Sequence, residues 1–284
     1  MISPLLDALI DRALAEDLGA GDVTSEAVVP STTKAAARAV ATQPLVLAGG
    51  DAFARVFYRV DAGARVERLI ADGTRVEPGT ALFAIDGTAR GLLAAERTAL
   101  NFIQRASGIA TLTARFVAAV PAGSALRIVD TRKTTPGLRA LEREAVRAGG
   151  GHNHRDNLGT AILIKDNHVA VAGGVRNAVL RAREHAVHMT RVEVEVDTLE
   201  QLDEALAVGA EVILLDNFTL DAVAEAVRRT ARRALLEVSG GVRLENIAEL
   251  ARLGVDLVSI GALTHSAPAA DISLEITPFG AGHG

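Results

Sequence analysis

Short apolar runs in the C-terminal two-thirds of the chain end, one after another, in residues able to do chemistry. LRIVD leads into Asp130, Thr131, Arg132 and Lys133, and AILIKD into Lys165, Asp166, Asn167 and His168. VEVEVD carries Glu195, and EVILLD ends in Asp216 and Asn217. ALLEVSG and LVSIGA finish on small residues instead: Ser239, Gly240 and Gly241 in the first, Gly261 and Ala262 in the second. Arg132, Lys133 and Lys165, with His154 and Arg155 of the GGGHNHR segment at 149–155, would repel one another in a low-dielectric cleft by roughly 1 to 4 kcal/mol per close pair. Only a ligand with several negative groups offsets such a set. Arg grips carboxylate or phosphate with a two-pronged fork, and Lys meets it as a point charge. Glu195 and Asp216 stand where an apolar residue is the local alternative. They suit Mg2+, which takes one or two carboxylates and completes its shell with ligand oxygens. The bare N–H groups of Ser239, Gly240, Gly241, Gly261 and Ala262, at helix starts, suit a phosphate.

Taken singly, each of these residues has a plainer reading. A lone Arg or Lys after a strand is commonly a solvated loop residue. Glu193 alternates with Glu195, so one of the two could face outward or pair with an arginine. What favours the joint reading is coincidence at equivalent points of a repeat. His152, His185, His188 and His283 have no partner spacing and read as surface residues. Without H-x-x-x-H or H-E-x-x-H, a histidine zinc site is not expected.

Each of the six runs alternates with amphipathic stretches of helical period, such as GLRALEREAVRAGG and TLEQLDEALAVG. Strand then helix, repeated, predicts a right-handed parallel β/α assembly. An open dinucleotide-binding sheet would carry G-x-G-x-x-G after its first strand, and none is present. The expectation is therefore a β/α barrel, incomplete against the usual eight strands, with the reactive groups on the rim where strands end. Upstream, Leu5, Leu6, Leu9, Ile10, Ala13 and Leu14 recur at helical spacing before Gly19 and Gly21 stop the helix. From Thr33 to Ile85 the runs LVLAGG, ARVERLI and TALFAI, with DGTRVEPGT as a turn, predict a small mixed domain. Residues 91–119 are helical in pattern without Pro, and predict a helix pair linking two domains.

Composition bounds the function. The 284 residues are 49% hydrophobic but only 3% aromatic, with no Trp, so Ala, Val, Leu and Ile must build the cores. A net charge of −5 excludes a global positive field for nucleic acid or an anionic membrane. The absence of Cys excludes disulfides, thiolate metal sites and cysteine nucleophiles, and fits a reducing, cytoplasmic setting. Asp7, Asp11, Glu16 and Asp17 interrupt the first apolar pattern, unlike a signal peptide, and no membrane-length apolar run follows. The segment ARVERLIADGTRVEPGTALFAIDG resembles half of a biotinyl or lipoyl carrier sandwich. A carrier needs a modifiable Lys on a hairpin, and the only Lys before residue 130 is Lys34.

At TRKTTPGLR (131–139), GGGHNHR (149–155), LIKDNH (163–168), VEVEVD (192–197), ILLDNF (213–218), SGG (239–241) and IGALTHS (260–266) the sequence resembles quinolinate phosphoribosyltransferase. GDVTS and GLLAAERTALNFIQRASGIAT (91–111) extend the resemblance over nearly the whole chain. It implies an α/β subunit: an N-terminal α/β sandwich over 1–111, rejoined by a tail at 268–284, and an incomplete β/α barrel of six or seven strands over 112–267. It implies a homodimer or larger assembly in which Arg97 reaches the neighbouring site, although periodicity alone makes Arg97 a solvated helix residue. The implied reaction joins quinolinate to phosphoribosyl pyrophosphate, with Mg2+, to give nicotinate mononucleotide, pyrophosphate and CO2. Arg97, Arg132, His154, Arg155 and Lys165 would hold the two carboxylates of quinolinate, and Lys133 and Lys165 the phosphates of the co-substrate. Glu195 and Asp216 would hold ribose hydroxyls and Mg2+, with the 5′-phosphate on Ser239, Gly240, Gly241, Gly261 and Ala262. Asp156, Asn157 and His152 depart from the family pattern around the NHR motif. The nearest competing reading is a paralogue of the same fold acting on a different acceptor, against which the retained Arg132 with Lys133 and His154 with Arg155 count. A more distant one is a barrel lyase or aldolase with Lys165 as Schiff-base amine.

Overall fold

Helical spacing at the N-terminus produces α1 (Pro4–Asp17), which buries Leu6 and Ile10, and a short α2 (Val23–Val28) capped by Asp22. The computed structural model describes residues 4–279, so His283 and the end of the predicted tail lie outside the described residues. Among those described, one unit comprises 4–114, 134–150 and 263–279, and the other 115–133 and 151–262.

The first unit is built on an antiparallel sheet. Its strands are β1 (Lys34–Ala41), β3 (Arg65–Arg68), β5 (Ala81–Thr88) and β12 (Ile272–Pro278), in the order β12-β1-β5-β3. Alternate alanines of β1 point inward, as period-two patterning requires. The tail strand β12 pairs with β1 from Ala35–Pro278 to Ala41–Ile272. A second, two-stranded pair joins β2 (Leu45–Val46) to β4 (Arg75–Val76). Between β2 and β3 lies α3 (Gly50–Val60), a helix within the predicted mixed domain, where the sequence marks out short strand-like runs. Its Ala52, Phe53, Val56 and Phe57 recur every three or four residues and are buried, and Phe53 meets the Phe57 and Phe83 rings at 5.1 and 4.7 Å. The Asp72 carboxylate of the DGT turn accepts from Gly49 N and Gly50 N at the helix start.

Residues expected to form a helix pair form one continuous helix instead, α4 (Ala89–Ala118), of 30 residues. Gly108 does not break it. A Cβ there would stand 2.0 Å from the Pro268 carbonyl oxygen, so the glycine admits a crossing backbone. Helix α5 (Arg139–Ala148), anticipated as part of a 112–267 barrel, groups with the first unit. It ends at Gly149, where a Cβ would stand 2.4 Å from the Ala110 carbonyl oxygen of α4.

The second unit is a parallel sheet of β6 (Arg127–Val129), β7 (Ile162–Ile164), β8 (Val192–Val196), β9 (Val212–Asp216), β10 (Leu235–Ser239) and β11 (Leu257–Ser259). Its order, β6-β11-β10-β9-β8-β7, leaves β6 and β7 as unpaired ends, the incomplete barrel expected from six runs. A single parallel bridge between Val129 and His152 lies against β6 as a rudiment of a further strand. The helices of this half are α6 (Asp166–Ala172), α7 (Val175–His185), α8 (Leu199–Ala207), α9 (Leu220–Thr230) and α10 (Ile247–Leu253), and α11 (Ala262–His265) follows β11 where the chain passes into the first unit. No helix of the described residues is long and apolar enough to cross a membrane.

The Gly108 crossing sets two effects against each other. Alanine is the better helix former by about 1 kcal/mol, but overpacking against a backbone carbonyl costs about 1 to 3 kcal/mol. Gly108→Ala is expected to lower stability, read as a reduced urea midpoint with an unchanged m-value.

Candidate active site

Strand register decides which side chains share the barrel interior. Lys165 follows Ile164, which is level with Val194, while Glu195 is level with Leu214 and Asp216 with Ser239. Residues two apart on a strand face the same way. Glu193 and Glu195, Leu214 and Asp216, and Glu237 and Ser239 therefore fall on one face. Glu193 and Glu195 are both buried, so neither faces outward, and Glu237 is 2% exposed. The alternate residues Val194, Val196, Ile213, Leu215 and Val238 fill the opposite, apolar face. A common barrel interior is layered with aliphatic side chains; this one is lined with carboxylates.

Two cation arrangements answer them. At the β7 end, the Lys165 ammonium is ion-paired with Glu195 Oε2, and the Lys165 backbone N–H donates to His168 Nδ1 at 3.0 Å. The second arrangement is the NHR loop. Asp130, fully buried at the end of β6, accepts from Asn153 Nδ2 at 2.5 Å and from the His154 backbone N–H at 2.7 Å. His152 exchanges backbone bonds with Ile128 and Asp130, so the loop is laced along β6. His154 Nδ1 then accepts from Arg155 N at 2.7 Å, while Nε2 lies 3.1 Å from Glu193 and 3.7 Å from Glu237. The histidine thus turns into the carboxylates instead of standing free as a surface cation.

Arg132 and Arg155 are left differently. The Nε atoms of both are buried without a hydrogen-bond partner. Burial, then the neighbouring Arg132 charge, lowers the Arg155 pKa from its ordinary value. Two guanidinium groups with unmet donors are thereby held near one another, the condition an anion relieves.

The carboxylates show the matching crowding. Burial, then the Glu195 charge, raises the Asp216 pKa, with Lys165 and Lys133 opposing. Glu237 is pushed up to about 7 by burial, then by the Glu193 charge. Burial depresses the His154 pKa, but the Glu193 hydrogen bond and the Glu237 charge outweigh it and leave it raised. Among the described residues, His154, Glu193 and Glu237 also form the one set of three acidic or histidine groups close enough to share a cation.

The barrel unit therefore brings together His154 with Glu193 and Glu237, Lys165 with Glu195, Asp216 with Lys133, and Arg132 with Arg155. Ser239 is level with Asp216 and with Ser259, while Gly240 and Gly241 follow with φ of +82° and +63°. Gly261 and Ala262 stand at the start of α11. Arg97 is exposed on α4 in the first unit. His152, His185 and His188 are exposed. Sequence reasoning missed Glu237, whose one signal is a lone acid inside the apolar run LLEVS.

A family model described as the C-terminal domain of quinolinate phosphoribosyl transferase matches residues 109–275, and one for the N-terminal domain matches residues 22–107. A nicotinate-nucleotide pyrophosphorylase (carboxylating) of Mycobacterium leprae is 50% identical over 274 residues, covering 94% of this chain and 95% of that protein. The crystal structure of NadC from Streptococcus pyogenes superposes with a TM-score of 0.93 at 40% identity, covering 98% of this chain and 99% of that one. That of a nicotinate-nucleotide pyrophosphorylase from Ehrlichia chaffeensis gives 0.92 at 38% identity, covering 97% and 99%. With matches spanning both units, the chain belongs to the quinolinate phosphoribosyltransferase family.

Proposed function

We infer that the chain transfers the phosphoribosyl group of phosphoribosyl pyrophosphate to quinolinate with decarboxylation, giving nicotinate mononucleotide, pyrophosphate and CO2. Beyond the family match, the observation that supports this is the pair Arg132 and Arg155, each with a buried donor lacking a partner. Quinolinate carries two adjacent carboxylates, and two guanidinium forks are the complementary receptor. Lys165 lies beside the same opening but is committed to Glu195. That commitment disfavours the Schiff-base reading, which needs a desolvated, unpaired amine.

The residues then divide the work. Arg132 and Arg155, with Lys165, hold the diacid so that its ring nitrogen faces the ribose. Lys133 and Lys165 meet the phosphates of the co-substrate, and the 5′-phosphate rests on the backbone of Ser239, Gly240, Gly241, Gly261 and Ala262. The ring nitrogen attacks the anomeric carbon as pyrophosphate departs, so the protein supplies no nucleophile. Its contribution is positioning and electrostatic stabilisation. Glu195 and Asp216 hold the ribose hydroxyls and face the positive charge that grows on the sugar. His154 steadies Arg155 from below by accepting its backbone N–H. Once alkylated, the ring nitrogen is cationic and stabilises the electron pair left behind when the neighbouring carboxylate leaves as CO2.

Glu195 and Asp216 also fit Mg2+. Both are hard oxygen donors, and the raised pKa of Asp216 beside Glu195 marks a crowding that a cation relieves. Bound there, Mg2+ would neutralise charge on the departing pyrophosphate. We place the enzyme in the cytoplasm, in keeping with a chain lacking Cys. We further propose a homodimer, with exposed Arg97 completing the diacid site of the neighbouring subunit.

Lys133→Ala and Glu195→Ala are each expected to abolish nicotinate mononucleotide formation from quinolinate, phosphoribosyl pyrophosphate and Mg2+ while leaving the circular dichroism spectrum unchanged. Normal turnover in either variant would remove the residue assignment. For the dimer, mixing inactive Arg97→Ala with inactive Lys133→Ala should restore part of the activity after subunit exchange, and no recovery despite verified exchange would exclude a shared site. The protonation of Glu237 has its own signature. Its carboxyl keeps a proton up to about 7, while the unfolded chain releases it near the ordinary 4.5. Across that window the unfolded state binds fewer protons, so stability from this group is full at low pH and declines as pH rises. The raised His154 pKa continues the decline above its ordinary 6.5. Glu237→Gln should flatten the fall in melting temperature between about pH 5 and 7, a change visible in a pH series of thermal melts.

A further inference from the structure

Just after Arg132 and Lys133 in sequence, the chain at Thr135 meets an ion pair that the reaction does not touch. Glu142 of α5 is 0% exposed. Its Oε1 accepts from Arg105 Nε at 3.1 Å and Nη2 at 2.8 Å, both from α4. The same carboxylate accepts from the Thr135 backbone N–H at 3.0 Å and from the Thr135 hydroxyl at 2.7 Å. Arg105 also donates to the carbonyl oxygen of Ala267 at 3.0 Å from Nη1, and from Nη2 to the carbonyl oxygen of Thr264 and to Thr135 Oγ1 at 3.4 Å. One buried pair thus holds two separate pieces of chain at fixed points. Thr135 comes two residues after Lys133, and Thr264 two residues after Ala262.

We propose that Arg105 and Glu142 are positioning residues for the phosphoribosyl-transfer site, locking together the loop that ends in Lys133 and the turn that begins at Gly261. A buried ion pair contributes little net stability against a well-packed apolar replacement, so its retention needs another reason, and registry is the best attested. The local backbone agrees. Residues 130–138 form no strand or helix, and Thr135 N satisfies itself on Glu142 instead of on a neighbouring strand. Without the pair, little else fixes this loop at Thr135. Loss of Arg105 would leave the Glu142 charge buried and unpaired and Thr264 and Ala267 without that tether, and loss of Glu142 would take from Thr135 its carboxylate acceptor. The guanidinium fork matters as much as the charge, because Arg105 serves four acceptors from a planar fork that a lysine's compact ammonium does not reproduce.

This inference rests on Lys133 and the Gly261–Ala262 backbone holding the co-substrate, and its test separates the two. Glu142→Gln and Arg105→Lys are compared with Leu141→Ala, which damages the same helix but leaves the pair intact. Two readouts are taken well below each melting temperature: steady-state kinetics with phosphoribosyl pyrophosphate varied, and hydrogen exchange of the backbone. We expect Glu142→Gln and Arg105→Lys to lower kcat/KM for phosphoribosyl pyrophosphate roughly 10- to 100-fold, with Leu141→Ala near wild type. Exchange should quicken in both 131–138 and 261–267 in these two variants alone. Should either variant fail to fold, Thr135→Val removes the hydroxyl bond at the loop end, and Thr135→Ser must restore the rate. Kinetics and exchange indistinguishable from Leu141→Ala would overturn the proposal. Coupled exchange of the two segments without turnover by the wild type would instead uphold the lock and remove the functional reading.

Discussion

The constraint on which this site depends is like charge held close. Arg132 and Arg155 are kept near one another with donors unmet, and nothing in a relaxed loop would choose that arrangement. It persists because the backbone on either side is fixed by stronger claims. Asp130, fully buried at the end of β6, takes the His154 N–H and the Asn153 amide, which pins the NHR loop one residue before Arg155. Arg132 follows Asp130 by only two residues, so a single carboxylate anchors the chain near both guanidinium groups. The repulsion is a preorganised demand for an anion, stored in place by hydrogen bonds that do not involve the ligand.

The open barrel follows from the same demand. A closed ring of eight strands packs its centre with aliphatic layers. Here the centre holds Glu193, Glu195, Glu237 and Asp216, and buried carboxylates must find protons, hydrogen bonds or cations. The gap between β6 and β7 admits the NHR loop, whose His154 reaches Glu193 and Glu237. One proton retained on Glu237 then eases the closest carboxylate pair. An uninterrupted hydrogen-bonded sheet would leave the loop no position alongside β6.

What could be read from the chain beforehand divides by range of interaction. Six apolar runs, their charged endings and their parallel arrangement are local in pattern, and the strands that formed are those runs. The α3 helix was hidden because its Phe, Val and Tyr residues favour strands, and its period of three to four became decisive only once Phe83 packed against it. The α4 helix was expected to be a helix pair but runs unbroken through Gly108, which answers to Pro268, 160 residues away in sequence and invisible to any local rule. Glu237 and Glu142 were passed over for the same reason. Each is a single acid amid apolar residues, and its meaning lies in partners brought from other strands or helices. Arg97 shows the opposite limit: no pattern around it marks a site residue, and only resemblance to a family gave it a role.

The SGG motif shows that one residue type can answer different requirements at adjacent positions. All three positions suggested bare backbone for a phosphate, yet the two glycines answer different requirements. At Gly240 a Cβ would fall 2.1 Å from Asn217 Oδ1, so glycine is demanded by packing before any ligand is considered. Asn217 itself adopts a left-handed φ of 56° and donates its backbone N–H to Ser239 O, which wedges its side chain against that turn. A Cβ on Gly241 would meet nothing within 4 Å, so its glycine is set by backbone alone, at φ +63°. The neighbouring Asp216–Asn217 corner thereby does double duty: its acid shares the face of Glu195, and its amide shapes the Gly240 turn.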